Sequence, residues 1–185
     1  MDFAINPEAV DALFGKIHGL MKGFVEAGLK AAKGKIEIIR VGSDLGTQKG
    51  LLLSPEMCRQ FFFPRIREMA DLAHKYQAKL FFHSCGAVSE LIPQFIEAGA
   101  DILGPVQPVA GMEAERLKKD FGKHLTFHSG VDTQQLMRTG TPAQVKKEVE
   151  RVTRVFGENG GYILCPSNNF MSGTPLENIL AFYGV

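Results

Sequence analysis

The chain has 185 residues, 45% of them hydrophobic and 22% charged, with a formal net charge of +1. That balance is one of a globular domain with a real core; it excludes a disordered chain and a basic surface built for nucleic acid or anionic lipid. Three widely spaced cysteines argue against a disulfide framework, and the apolar runs stop well short of the ~20 residues that cross a bilayer.

Asn6-Pro7-Glu8 predicts a helix start: Asn6 can cap, Pro7 suits the first helical position, and Glu8 suits the helix dipole. Val10, Leu13, Phe14, Ile17, Leu20, Met21, Phe24 and Val25 follow at helical spacing, and Gly34 closes the helix. No basic start followed by an apolar block opens the chain, so no signal peptide and a cytoplasmic location are expected. Residues 36–44 read as a strand. Ser54 and Pro55 open a helix expected to run to about Tyr76, kinked or split at Pro64.

The pattern then repeats. A strand over 79–85 precedes a helix over 88–98, and a strand over 100–106 precedes a helix over 112–121. A strand over 124–131 leads to a helix opened by Thr141-Pro142, with Val145, Val149, Val152 and Val155 on one stripe. A last strand over 161–167 leads to Thr174-Pro175-Leu176-Glu177, the pattern of a capping box. Five strand–helix units in strict alternation predict a parallel sheet with right-handed crossovers. No linker divides the chain, so a single domain over 1–185 is expected.

Polar chemistry gathers where each strand ends. Asp44, His83 with Cys85, Gln107, His128 with Asp132, and Cys165 with Asn168 all follow apolar runs. His83 and Cys85 stand two residues apart, so an extended chain aims both at one point. No glycine-rich phosphate loop is present, which disfavours an open doubly wound sheet, whereas (β/α) barrels carry their sites at the C-terminal ends of strands. A closed barrel needs eight strands and five are predicted. The two open edges predict association with another chain, a homo-oligomer first of all.

The blocks "VGSDLGTQKGLLLSPEM", "FFHSCG", "DILGPVQP", "TFHSGVDTQ" and "GGYILCPSNNFMSGTPLENILAFY" together resemble the uroporphyrinogen decarboxylase superfamily over nearly the whole chain. The resemblance implies the C-terminal five βα units of a TIM (β/α)8 barrel, truncated, with an N-terminal helix before them. It also implies one of two chemistries for a small-molecule substrate. In the methylcobalamin-type methyltransferases a zinc ion, held by a His-x-Cys pair and a later Cys, activates the thiol that takes the methyl group. His83 and Cys85 match the pair. The later position falls on Asn168, with Cys165 three residues earlier as the alternative ligand. A corrinoid or a methylated small molecule would be the donor, and a corrinoid protein a partner. The other chemistry is metal-free uroporphyrinogen decarboxylation. A third outcome is an inactive fragment, or a module that completes its barrel with another chain.

The remaining candidates each have a plain structural alternative. Asp44 is a base or substrate contact at the barrel mouth, helped by Gln48, or a turn-forming Asp between glycines. His128 and Asp132 are a site-facing pair, or Asp132 merely caps the next turn. Gln107 is expected at the mouth. Cys58 and Phe61 to Phe63 read as core.

Overall fold

The computed structural model describes residues 2–185. A short helix α1 (Asp2–Ile5) precedes the long α2 (Pro7–Ala32). Asn6 makes no side-chain cap bond, and the helix ends with Lys33 and Gly34 both left-handed. Strand β1 (Ile38–Gly42) follows, then α3 (Pro55–Phe61) and α4 (Phe63–Lys75). These two helices break at Phe62, just before Pro64, whose ring cannot continue the ladder. Ser54 caps α3 by accepting the Met57 N–H at 3.2 Å.

Strand β2 (Lys79–His83) leads through a single 3-10 turn (Ser89–Leu91) into α5 (Ile92–Glu97). The chain continues as β3 (Ile102–Gly104), α6 (Ala114–Phe121), β4 (Thr126–His128), α7 (Leu136–Thr139), α8 (Pro142–Gly157), β5 (Tyr162–Ile163) and α9 (Leu176–Tyr183). Every strand is shorter than the stretch the sequence predicts, because the residues beyond its tip peel off into loops. The predicted capping box at Thr174 does not form. Thr174 Oγ1 donates instead to Met171 O at 2.8 Å, and Pro175 stands at the cap. Thr141 and Gln144 make the reciprocal pair at the start of α8.

The five strands form one parallel sheet in the order β1-β2-β3-β4-β5. Parallel neighbours in sequence order with a helical crossover between them are the units of a (β/α) barrel. One face of the sheet meets the helices. There Phe95 of α5 sits fully buried, 4.9 Å from the Phe82 ring and 5.2 Å from Phe63. Phe156 of α8 bridges Phe127 at 5.1 Å and Tyr162 at 5.2 Å. Each such ring contributes roughly 1.5–3 kcal/mol by leaving water. Val145 and Val152 of the predicted stripe are buried, and Val149 and Val155 pack at its margin.

The other face carries polar residues at the strand tips. Gly42 pairs with His83, and His83 with Gly104. A Cβ on Gly104 would lie 2.8 Å from His128 Cβ, and one on Gly42 would lie 2.6 Å from His83 Cβ. Glycine and histidine therefore alternate along one row, and each glycine clears room for the imidazole beside it. No described helix is long and apolar enough to cross a membrane.

Candidate metal centre

Two loops at the C-terminal edge of the sheet build the centre. His83 ends β2, Cys85 follows it, and Asp44 sits just past β1. Asp44 Oδ1 accepts the Cys85 backbone N–H at 2.9 Å and lies 3.4 Å from His83 Nε2. Cys85 Sγ is 3.7 Å from the same Nε2. The carboxylate, imidazole and thiol ligand atoms all lie within 4.8 Å of one another.

The loops are held by backbone bonds that need these residues. Ser84 Oγ accepts the Leu45 N–H at 3.0 Å, and Ala87 N–H donates to Thr47 O at 2.8 Å. Gly86 has φ +85°, and a Cβ there would lie 2.5 Å from the Gly46 carbonyl carbon, so only glycine lets the loops touch. Gln107 does not line the cleft at the mouth. It is buried, and its Oε1 accepts the Gly86 N–H at 2.7 Å, a tie that fixes the loop carrying Cys85.

Arg40 is a site residue that the sequence pattern did not single out. Its Nη2 donates to His83 Nδ1 at 2.8 Å, and its guanidinium lies 5.5 Å from the Phe81 ring centroid. The signal was a lone charge inside the strand "IIRVG", since a buried strand keeps a charge only where one face opens. Burial and then the Arg40 cation hold His83 below the usual imidazole range, against the pull of Asp44. Burial, and then the Asp44 carboxylate, push the Cys85 thiol up, with Arg40 opposing. At neutral pH the pair is thus a neutral imidazole and an intact thiol.

A cleft of about 760 Å³ opens beside this cluster, lined among others by Arg40, Phe81, His83, His128, Cys165 and Asn168. His128 packs 4.8 Å from the Phe81 ring, and its buried Nδ1 has no hydrogen-bond partner. Burial, then Arg40 and His83, lower its basicity. Cys165 faces the cleft, where burial raises its thiol, but it does not join the converged donor group; Asp44 supplies the third donor instead. Asn168 also lines the cleft, while its Oδ1 accepts the neighbouring Asn169 N–H at 2.8 Å.

Two expected residues fall outside the site. Asp132 caps its own turn: Oδ1 accepts the Gln134 N–H at 2.7 Å and Oδ2 those of Gln135 and Leu136 at 3.3 and 3.4 Å. Gln48 lies exposed at the tip of the loop after β1, away from the cleft lining.

The family model described as uroporphyrinogen decarboxylase (URO-D) matches residues 2–185. The chain belongs to the uroporphyrinogen decarboxylase family. No curated protein matches it significantly. Among solved structures, this uroporphyrinogen decarboxylase-family chain is similar to a methyltransferase from Methanosarcina mazei, with a TM-score of 0.63 and 23% identity over 80% of this chain and 41% of that one. A dihydropteroate synthase from Anaplasma phagocytophilum, solved with bound 6-hydroxymethylpterin-monophosphate, is similar at TM-score 0.51 and 13% identity, over 90% of this chain and 66% of that one. At those identities the likeness is one of fold. The chain spans less than half the length of the methyltransferase it matches.

Proposed function

We propose that this chain carries the zinc-binding half of a methyl-transfer enzyme, with Asp44, His83 and Cys85 as the protein ligands. The convergence of their ligand atoms within 4.8 Å supports this most directly. Imidazole nitrogen, thiolate sulfur and carboxylate oxygen are zinc's donor types, and three protein ligands leave one position of a tetrahedron open. Zinc held there would supply a thiol in that position with a lowered pKa, hence a nucleophile at neutral pH. The neutral His83 need not lose charge to ligate, only shift its ring proton from Nε2 to Nδ1, and Cys85 gives up its proton on binding. Asp44 keeps one oxygen on the Cys85 N–H and leaves the other free. His128, which lines the cleft, takes the proton that the acceptor thiol loses. Transfer forms the new sulfur–methyl bond as the donor's bond to that carbon breaks, the electron pair staying with the donor. A corrinoid, alone or on a carrier protein, or a methylated small molecule is the donor.

One observation favours a second reading, metal-free decarboxylation of an acidic tetrapyrrole. Arg40 points into the cleft with a neutral imidazole rather than a carboxylate as its partner. A substrate carboxylate would complete that guanidinium's bonding.

Zinc content, measured by elemental analysis on protein purified without a metal-binding tag, tests the proposal. About one zinc per chain is expected, lost in Asp44→Asn, His83→Ala and Cys85→Ser and kept in Cys165→Ser. No zinc, even after adding it back, removes the methyl-transfer proposal. Zinc-loaded protein should then demethylate methylcobalamin in the presence of a small thiol, whereas carbon dioxide release from a porphyrinogen would favour the second reading.

A further inference from the structure

The cleft beside the candidate metal centre has a single fixed charge. Of the residues that line it, only Arg40 is permanently ionised, and no carboxylate is among them. Elsewhere in the chain guanidinium groups meet carboxylates: Arg65 pairs with Asp11 at 2.9 Å and Arg151 with Glu148 at 2.8 Å. Among the described residues the Arg40 side chain has instead one hydrogen-bond partner, His83 Nδ1. A guanidinium carries five N–H donors, so most of those on Arg40 have no protein acceptor. Asn168 and Asn169 bring amides to the same cleft, and Phe81, Pro105 and Phe170 give it apolar walls. One cation, a pair of amides and apolar walls fit a small organic molecule that ends in an oxyanion.

The position of Arg40 ties that ligand to the metal centre. Its Nη2 lies 2.8 Å from His83 Nδ1. A guanidinium only donates, so while this bond stands Nδ1 is the acceptor and the ring N–H is Nε2. That is the nitrogen facing Asp44 and Cys85. Ligation through Nε2 puts the N–H on Nδ1, donor against donor. A ligating histidine ordinarily gives this N–H to an oxygen acceptor. Here, among the described residues, Nδ1 meets only the Arg40 donor. An oxyanion on Arg40 supplies what is lacking. It takes the guanidinium hydrogen bonds onto its own oxygens and accepts the Nδ1 proton beside them.

With His83 as a zinc ligand, as proposed above, we infer that an organic oxyanion bound to Arg40 in the cleft switches His83 into its ligating form, so that anion and zinc bind with positive coupling. No bond to carbon forms or breaks in the switch. The ring proton passes from Nε2 to Nδ1 through solvent, and Cys85 releases its proton to solvent. The Arg40 hydrogen bond passes from Nδ1 to the anion. Coupling between two sites is reciprocal, so zinc tightens the anion by the factor with which the anion tightens zinc. The metal centre is then held most tightly when an acidic substrate is in place.

The test uses the full chain and two probes, methanesulfonate and acetate, each exchanged for chloride at constant ionic strength and pH. Zinc affinity is read by competition with a chromophoric chelator. The His83 ring is read by its nitrogen resonances in the zinc-free chain, assigned by their loss in His83→Ala. With either probe, zinc should bind about tenfold more tightly, and zinc should tighten the probe equally. The ring resonances should leave the Nε2–H pattern for a mixture of the two tautomers. Both responses should vanish in Arg40→Gln. An equal gain in zinc affinity in Arg40→Gln would put the anion on the metal and overturn the proposal. So would zinc affinity that ignores both probes in the unsubstituted chain, and so would ring resonances that ignore them. Failure of the metal reading looks different: no zinc is bound with or without a probe, and the coupling falls with it.

Discussion

Arg40 stands in the way of the candidate metal centre it borders, and the proposed zinc site therefore has a measurable consequence. A guanidinium has donors only, so the 2.8 Å contact makes His83 Nδ1 the acceptor and leaves the proton of the neutral ring on Nε2. That nitrogen is the one facing Asp44 at 3.4 Å and Cys85 at 3.7 Å. Ligation through Nε2 moves the proton to Nδ1, where it would point at the Arg40 donor. The hydrogen bond is then lost, at about 1.5–3 kcal/mol for a bond to a charged group. Arg40 is exposed, so water takes up part of that cost. A net penalty of about 1.4 kcal/mol corresponds to roughly tenfold in zinc affinity. Arg40→Gln replaces the cation with a group whose carbonyl can accept the Nδ1 proton, the usual outer partner of a ligating histidine. Competition against a chromophoric chelator at neutral pH should show zinc bound about tenfold more tightly by Arg40→Gln, with Arg40→Ala in between. Unchanged or weaker binding in both variants would refute the argument, and would mean that His83 does not ligate through Nε2 or that Arg40 helps to hold the site.

The pH dependence of zinc binding follows from Cys85. Its thiol is pushed up, so it must lose a proton to ligate, and affinity should rise about tenfold per pH unit between pH 7 and 8. His83 is held down and adds a second proton only in more acid solution; a flat profile near neutrality would rule out Cys85 as a ligand. Gly86→Ala should separate the two loops, because its φ is +85° and its Cβ meets the Gly46 backbone. We expect a loss of about 1–3 kcal/mol in urea unfolding together with weakened zinc binding. Burial would raise the Asp101 carboxyl, but bonds from Lys79 at 2.8 Å, His74 at 2.7 Å and the Leu80 N–H at 2.9 Å outweigh it and hold its pKa down. A lowered carboxylate pKa contributes stability that is full above the unfolded-state value and lost as pH falls through the folded one, so Asp101→Asn should cost about 1–3 kcal/mol at pH 7, and the cost should shrink as the pH is taken below the ordinary carboxylate range. Phe95→Ala, deleting a fully buried ring between Phe63 and Phe82, should cost about 3–5 kcal/mol in the same assay.

Much of the sheet was legible because each apolar run is short and ends in polar residues, so "KLFFH" and "TFH" declare both a strand and its end. The cap at Ser54, the break near Pro64 and the buried stripe of Val145 and Val152 likewise follow from local chemistry. The capping box was misplaced for a related reason. Thr174 and Glu177 have the right letters, yet Thr174 finds a nearer acceptor in Met171 O, while Thr141 with Gln144 satisfies the same geometry without the expected acid.

The site divides along the same line. Period-two geometry places His83 and Cys85 together from sequence alone, because both belong to one extended stretch. The third donor could not be read that way. Asp44 reaches them across a parallel strand pairing, and the Cys85 N–H and the glycine contact at Gly86 fix how close it comes. Cys165 had the better chemistry for zinc, but the chain after β5 leaves it facing the cleft, outside the donor group. Asp132 looked like a partner for His128 until its backbone turn took both carboxylate oxygens. Sequence by itself determined which residues sit at strand tips, since that depends on neighbours along the chain. Only the tertiary structure decided which tips meet, because the register between strands is set by side chains and glycines 41 residues apart, as Asp44 is from Cys85.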